Sequence, residues 1–134
     1  MGARYFLRQC RFLVQIFQTV AMKNKYYFGE LTALQEGRFI VHQLGNHSVG
    51  ATIQEGKPIV LLNYCPHAGA PICKGKIVPT LMVVQPEENH LVLRCPWHGW
   101  EFNMKSGGTS KFHSNLRLPK LQYEIENDSI YIWI

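Results

Sequence analysis

Residues 91–102 read Leu91-Val92-Leu93-Arg94-Cys95-Pro96-Trp97-His98-Gly99-Trp100-Glu101-Phe102. The apolar run Leu91 to Leu93 predicts a short strand, and Pro96 and Gly99 predict that it gives way to a tight loop. The stretch therefore places one thiol and one imidazole on a loop at a strand end. The same arrangement occurs earlier in the chain. Pro58 opens the apolar run Ile59-Val60-Leu61-Leu62, which leads directly into Cys65-Pro66-His67-Ala68-Gly69-Ala70. Each half supplies one Cys and one His, with a Gly just after the His.

Working outward, most of the chain beyond Met22 reads as β. Tyr26 to Gly29 predicts a short aromatic strand. Arg38 to Leu44 predicts another, ending at the hairpin signal Gly45-Asn46, and His47 to Gln54 is its return strand. Glu55-Gly56-Lys57 predicts a further turn. Leu81 to Val84 and Leu91 to Leu93 flank Gln85-Pro86-Glu87-Glu88-Asn89, which reads as a hairpin with a polar tip. Leu121 to Glu126 and Ile130 to Ile134 close the chain as a hairpin around Asn127-Asp128. Leu121, Tyr123 and Ile125 alternate with polar residues, the period-2 pattern of a half-buried strand. Short strands with frequent turn signals predict an all-β sandwich or barrel.

The bulk numbers fit one globular domain. There are 134 residues, 46% hydrophobic and 17% charged, with a net charge of +5. Three of the 14 basic residues are Arg4, Arg8 and Arg11, and no acidic residue precedes Glu30. The rest is close to neutral and lacks the clustered basic footprint that nucleic-acid binding needs. Lys74 and Lys76 form a small basic spot, read as two solvated lysines. No stretch approaches the roughly 20 apolar residues of a membrane span. Four cysteines are too few for a disulfide scaffold, and two of them stand in Cys/His motifs, which indicates metal ligation in a reducing, cytoplasmic setting.

Residues 1–21 form a separate amphipathic extension. Arg4, Arg8, Arg11, Gln15 and Gln18 share one helical stripe, and Phe6, Cys10, Leu13, Phe17 and Val20 share another. Three readings stand side by side: a transit-like or membrane-surface helix, a helix docked on a partner, or a non-native start upstream of Met22.

Two cysteines and two histidines suit tetrahedral zinc or a [2Fe-2S] cluster. Zinc fingers usually pair Cys with Cys and His with His, the latter on a helix, whereas here each half is mixed and lies in Pro- and Gly-containing sequence. The order C-x-H…C-x-x-H resembles the Rieske family, and Cys95 to Phe102 is close to the form seen in its ferredoxins and ring-hydroxylating oxygenases. The resemblance covers roughly residues 23–134. It implies a Rieske fold of antiparallel sheets, with a sandwich- or barrel-like base and a two-loop cluster-binding subdomain, over residues 22–134. It also implies one [2Fe-2S] cluster per chain, with Cys65 and Cys95 on one iron and His67 and His98 on the other. The separation of the two motifs, residues 68–94, is longer than the family often shows, and the excess falls in the hairpin between Lys76 and Arg94. Cys73 reads as a buried free thiol. His42, His47, His90 and His113 lack motif context, as does Cys10. Trp97 and Trp100, flanking His98, are expected to shield the cluster, and Pro119 to belong to the Pro-containing loop that covers it in this family.

Within the family, respiratory members carry two further cysteines, where this chain has Ala70 and Trp97, and two hydroxyl donors to sulfur, where it has Trp100 and Phe102. The resemblance thus points to the low-potential branch. A chain ending at Ile134 leaves no room for the mononuclear iron domain of the oxygenases, so no catalytic residue is expected. The implied role is a soluble one-electron carrier, a ferredoxin taking electrons from a flavin reductase to a terminal oxygenase or similar acceptor, with no nucleic acid and no membrane span. A cluster-based redox or iron sensor and a zinc-stabilised β interaction module are the alternatives.

Overall fold

The computed structural model describes residues 23–79, 91–109 and 115–134. The extension at 1–21, the strand expected at Leu81 to Val84 with its polar tip, Cys10, His90 and His113 lie outside the described residues.

Among the described residues nine strands form three antiparallel three-stranded sheets. The first has the order β1 (Lys25–Glu30), β9 (Ser129–Trp133), β8 (Gln122–Glu126). The second is the meander β2 (Ile40–Leu44), β3 (His47–Gln54), β4 (Lys57–Leu62). The third is the meander β5 (Lys76–Pro79), β6 (Leu91–Arg94), β7 (Glu101–Asn103). Two hairpin turns follow their residues closely. Glu55-Gly56 and Asn127-Asp128 both hold positive φ at each central position, the geometry that matches the twist of the flanking strands.

The middle sheet is the spine. Val49, Ala51 and Val60, with Leu44 of the same sheet, point from one face into a core with Phe28, Ile130 and Ile132 of the first sheet. The next residue along β4, Leu61, points the other way, into a second core with Phe39, Ile72, Leu93, Phe102 and both motif cysteines. Successive strand residues face opposite sides, so the unbroken apolar run of β4 is the signature of a strand buried on both faces. Each fully buried aliphatic of this kind contributes about 1.5–3 kcal/mol.

Gly50 of β3 lies under Cys73, in the short 3-10 turn Ile72–Lys74. A Cβ at Gly50 would collide with Cys73 Sγ and press on Phe39. Gly50→Ala is expected to cost about 1–3 kcal/mol through overpacking, read as a lowered denaturation midpoint with unchanged denaturant slope, and Gly50→Ala/Cys73→Ala should recover part of the loss.

Three sequence expectations change. Leu91–Arg94 pairs with Lys76–Pro79, so among the described residues the first arm of that hairpin lies N-terminal to Leu81. β7 was not expected, because its three residues carry a single apolar side chain, Phe102. Finally, β8 shows no buried face: all five of its residues are exposed, Tyr123 and Ile125 at 37% and 45%. They stand opposite Ile132 and Ile130, on the core-facing side, but β8 is the sheet edge and the base core ends under β9. Alternation records which face a side chain takes, not whether anything covers it.

Candidate metal centre

The two motif loops are built alike. In the first, the Cys65 N–H donates to the Ala70 carbonyl at 2.7 Å and the Gly69 N–H donates to the Cys65 carbonyl at 2.8 Å. In the second, the Cys95 N–H donates to the Trp100 carbonyl at 2.7 Å and the Gly99 N–H to the Cys95 carbonyl at 3.1 Å. Closing each loop this way needs positive φ at the fourth residue after the cysteine. Gly69 and Gly99 supply it, at 76° and 68°, where a side chain would be strained. The loops are therefore congruent although His67 follows its cysteine by two residues and His98 by three.

Three devices hold the loops. Asn63 accepts the Cys73 N–H at 2.9 Å and donates to Ser48 Oγ at 3.1 Å, tying the end of the first loop to β3. Arg94 and Glu101, opposite each other at the base of the second loop, are joined by an ion pair at 2.9 Å. The Leu62 N–H donates to the Pro119 carbonyl at 2.9 Å, so the segment around Pro119 is fastened to the strand that delivers Cys65, while Leu118 packs into the same core.

The donors separate by depth. Cys65 and Cys95 are buried in the second core, at 0% and 2% exposure, and their thiols interact. Burial first, then the neighbouring Cys95 thiol, pushes the Cys65 thiol up, while the backbone N–H groups of His67 and Ala68 aim at its sulfur and pull the other way. His67 and His98 lie at the surface, edge to face with ring centroids 5.0 Å apart. Among the described residues no three Cys, His, Asp or Glu side chains converge as a single ion would require. Two thiols with backbone donors on one side and two imidazoles on the other fit a two-iron cluster with unlike iron sites.

The two tryptophans part company. Trp100 stacks on the His67 ring at 4.1 Å and 15°, and then on Phe102 at 6.4 Å, so a residue of the second loop fixes the imidazole of the first. Trp97 is 58% exposed beside His98. Tyr64, missed in the sequence, lies against Gly69 and is 53% exposed; an aromatic directly before the first cysteine was the available signal. Ala70 is buried and Trp97 exposed, so these two positions also differ in depth. Cys73 is buried, its thiol pushed up to about 12 by desolvation. His42 packs edge-on against Phe28, and His47 is exposed on the base sheet.

Residues 24–122 match the family model of the Rieske [2Fe-2S] domain. The chain is 31% identical over 99 residues to human apoptosis-inducing factor 3, a match that covers 74% of this chain but 14% of that protein; it spans only a small part of the curated relative. Its fold is similar to the ferredoxin of Sphingomonas yanoikuyae B1, with TM-score 0.61, 19% identity, and 81% of this chain and 97% of that one covered. The ferredoxin of carbazole 1,9a-dioxygenase from Nocardioides aromaticivorans IC177 is similar to the same degree, with TM-score 0.61, 16% identity, and coverage of 81% and 96%. Among the described residues no helix is long and apolar enough to cross a membrane. With two congruent loops presenting paired thiols and paired imidazoles, the chain belongs to the Rieske [2Fe-2S] domain family and binds one [2Fe-2S] cluster.

Proposed function

We propose that Cys65 and Cys95 hold one iron and His67 and His98 the other, and that the protein is a cytoplasmic ferredoxin passing single electrons from a flavin reductase to an oxygenase-type acceptor. When bound, the cluster supplies the one-electron chemistry. The observation that carries the reading is the depth order of the donors: thiols in the core, imidazoles at the surface, and exposed aromatics around them. The His67 and His98 rings mark the shortest way out of the protein. Trp97 and Tyr64 add the apolar area that a transient partner buries, since aromatic anchors dominate such interfaces. Trp100 holds the His67 ring so that its exposed edge keeps one orientation. The resemblance to oxygenase ferredoxins supports the choice of partners.

The test combines composition and transfer. Protein expressed with ample iron and sulfide is expected to contain two irons and two acid-labile sulfides per chain, and to be reduced by NADH through a catalytic amount of a flavin-dependent ferredoxin reductase. Stoichiometric zinc without visible absorption, or a cluster no reductase can reach, overturns the reading. Trp97→Ala is expected to leave iron content unchanged and to raise the KM for the reductase by about fivefold or more, as loss of a central aromatic anchor does.

A further inference from the structure

We propose that the cleft between β2 and β5, on the flank of the cluster lobe, docks an extended acidic segment of a partner protein. The inference is independent of the electron-transfer role above. The cleft has a volume of about 510 Å³, and Arg38, Lys74 and Lys76 line it from both walls, together with Val41, Ile77 and Val78. All three cations are exposed and none forms an ion pair with a described residue. Among the described residues no Asp or Glu lines the cleft. Lys74 and Lys76 are close in sequence, but Arg38 is brought to them only by the fold, so three positive charges share a concavity with no counter-charge among the described residues.

The backbone of the walls matters as much as their charge. β2 is the outer strand of its sheet and β5 the outer strand of its own. Among the described residues each is paired on one side only. The outer edge of such a strand carries free N–H and C=O groups that can accept an added strand. Edge lysines ordinarily discourage that pairing, and here they repel a second copy of this same cationic cleft. An incoming strand with alternating carboxylates meets no such penalty. Its backbone pairs with the edge, its acidic side chains reach Arg38, Lys74 and Lys76, and its apolar side chains cover Val41, which is 40% exposed. The charges thus reject some strands and admit others.

The experiment uses the holoprotein and a fluorescein-labelled hexapeptide, acetyl-Glu-Val-Glu-Val-Glu-Val-amide, long enough to span the four residues of β5. Anisotropy should show saturable binding that weakens with salt. Lys74→Glu/Lys76→Glu should weaken it about tenfold or more, the effect expected of charge reversal at a docking site. Arg38→Glu, on the opposite wall, should do the same and serves where the double variant loses its visible spectrum. A Lys-Val peptide should not bind, nor should the acidic peptide with alternate backbone amides methylated. The proposal is overturned by absence of saturable binding, by equal binding to the charge-reversed proteins, or by equal binding of the methylated peptide. It is likewise overturned if an oligothymidylate strand or phosphatidylserine vesicles bind more tightly with the same sensitivity to these substitutions.

Discussion

Cys95→Ala protein, purified after expression with ample iron and sulfide, is expected to be colourless and to contain almost no iron. The same should hold for Cys65→Ala, whereas Cys73→Ala should keep the full two irons per chain. All three thiols are buried, so burial alone predicts three equal results. The difference lies in what surrounds them. The Cys65 and Cys95 thiols meet each other beneath paired imidazoles, and the Cys65 sulfur also faces two backbone N–H groups. Cys73 Sγ rests on Gly50 and is held protonated by desolvation alone. Removing it leaves a small cavity, worth about 1–2 kcal/mol. His98→Ala sharpens the contrast, because its exposed ring adds little to packing: iron should fall with the first cysteine variants while the strand content of the chain persists. Iron analysis, sulfide analysis and circular dichroism decide the matter. Full iron in Cys95→Ala, or loss of iron in Cys73→Ala, overturns the ligand assignment.

The midpoint potential is expected near the lower end of the range of Rieske centres, roughly −150 to +300 mV. Hydrogen-bond donors to sulfur stabilise the more negative, reduced state, so each donor raises the potential and each absence lowers it. Trp100 and Phe102 stand where respiratory members of the family place hydroxyl donors. Trp100 is committed to stacking on His67, and Phe102 is fully buried beside the motif cysteines. A net hydrogen bond is worth about 1 kcal/mol, or roughly 40 mV for a single electron, so the two absences account for about 80 mV. Phe102→Tyr is expected to raise the potential by about 40 mV and to cost some stability, since its hydroxyl enters a packed core. Direct voltammetry near neutral pH measures both. A wild-type value above about +100 mV, well up the same range, overturns the low-potential assignment.

Most of the fold was legible because its determinants are local. Val60 and Leu61 are adjacent apolar residues on opposite faces, and such a run admits few alternatives to a strand covered on both sides. Asn127-Asp128 carries its turn geometry in its residue types, as do Gly69 and Gly99. What stayed hidden depends on contacts distant in sequence. The exposure of Ile125 is set by where a neighbouring core ends. Trp97 and Trp100 sit three residues apart in one motif, yet one stacks on the other loop and one faces solvent, because only the second has His67 within reach. Arg38 carries no local sign that it shares a cleft with Lys74 and Lys76.

The register of β5 with β6 bears on how this domain can change length. Lys76 stands opposite Arg94 at the end of the hairpin nearest Cys95, and Pro79 stands opposite Leu91 at the far end. The chain connects the two strands at that far end, the end opposite Arg94 and Cys95. Insertions or deletions there leave the geometry of the four donors untouched, and each doubling of such a connection costs only about 0.6 kcal/mol of closure entropy. The number of residues between His67 and Cys95 is therefore nearly free to drift between descendants of one ancestor, while the four-residue step from each cysteine to its glycine is not.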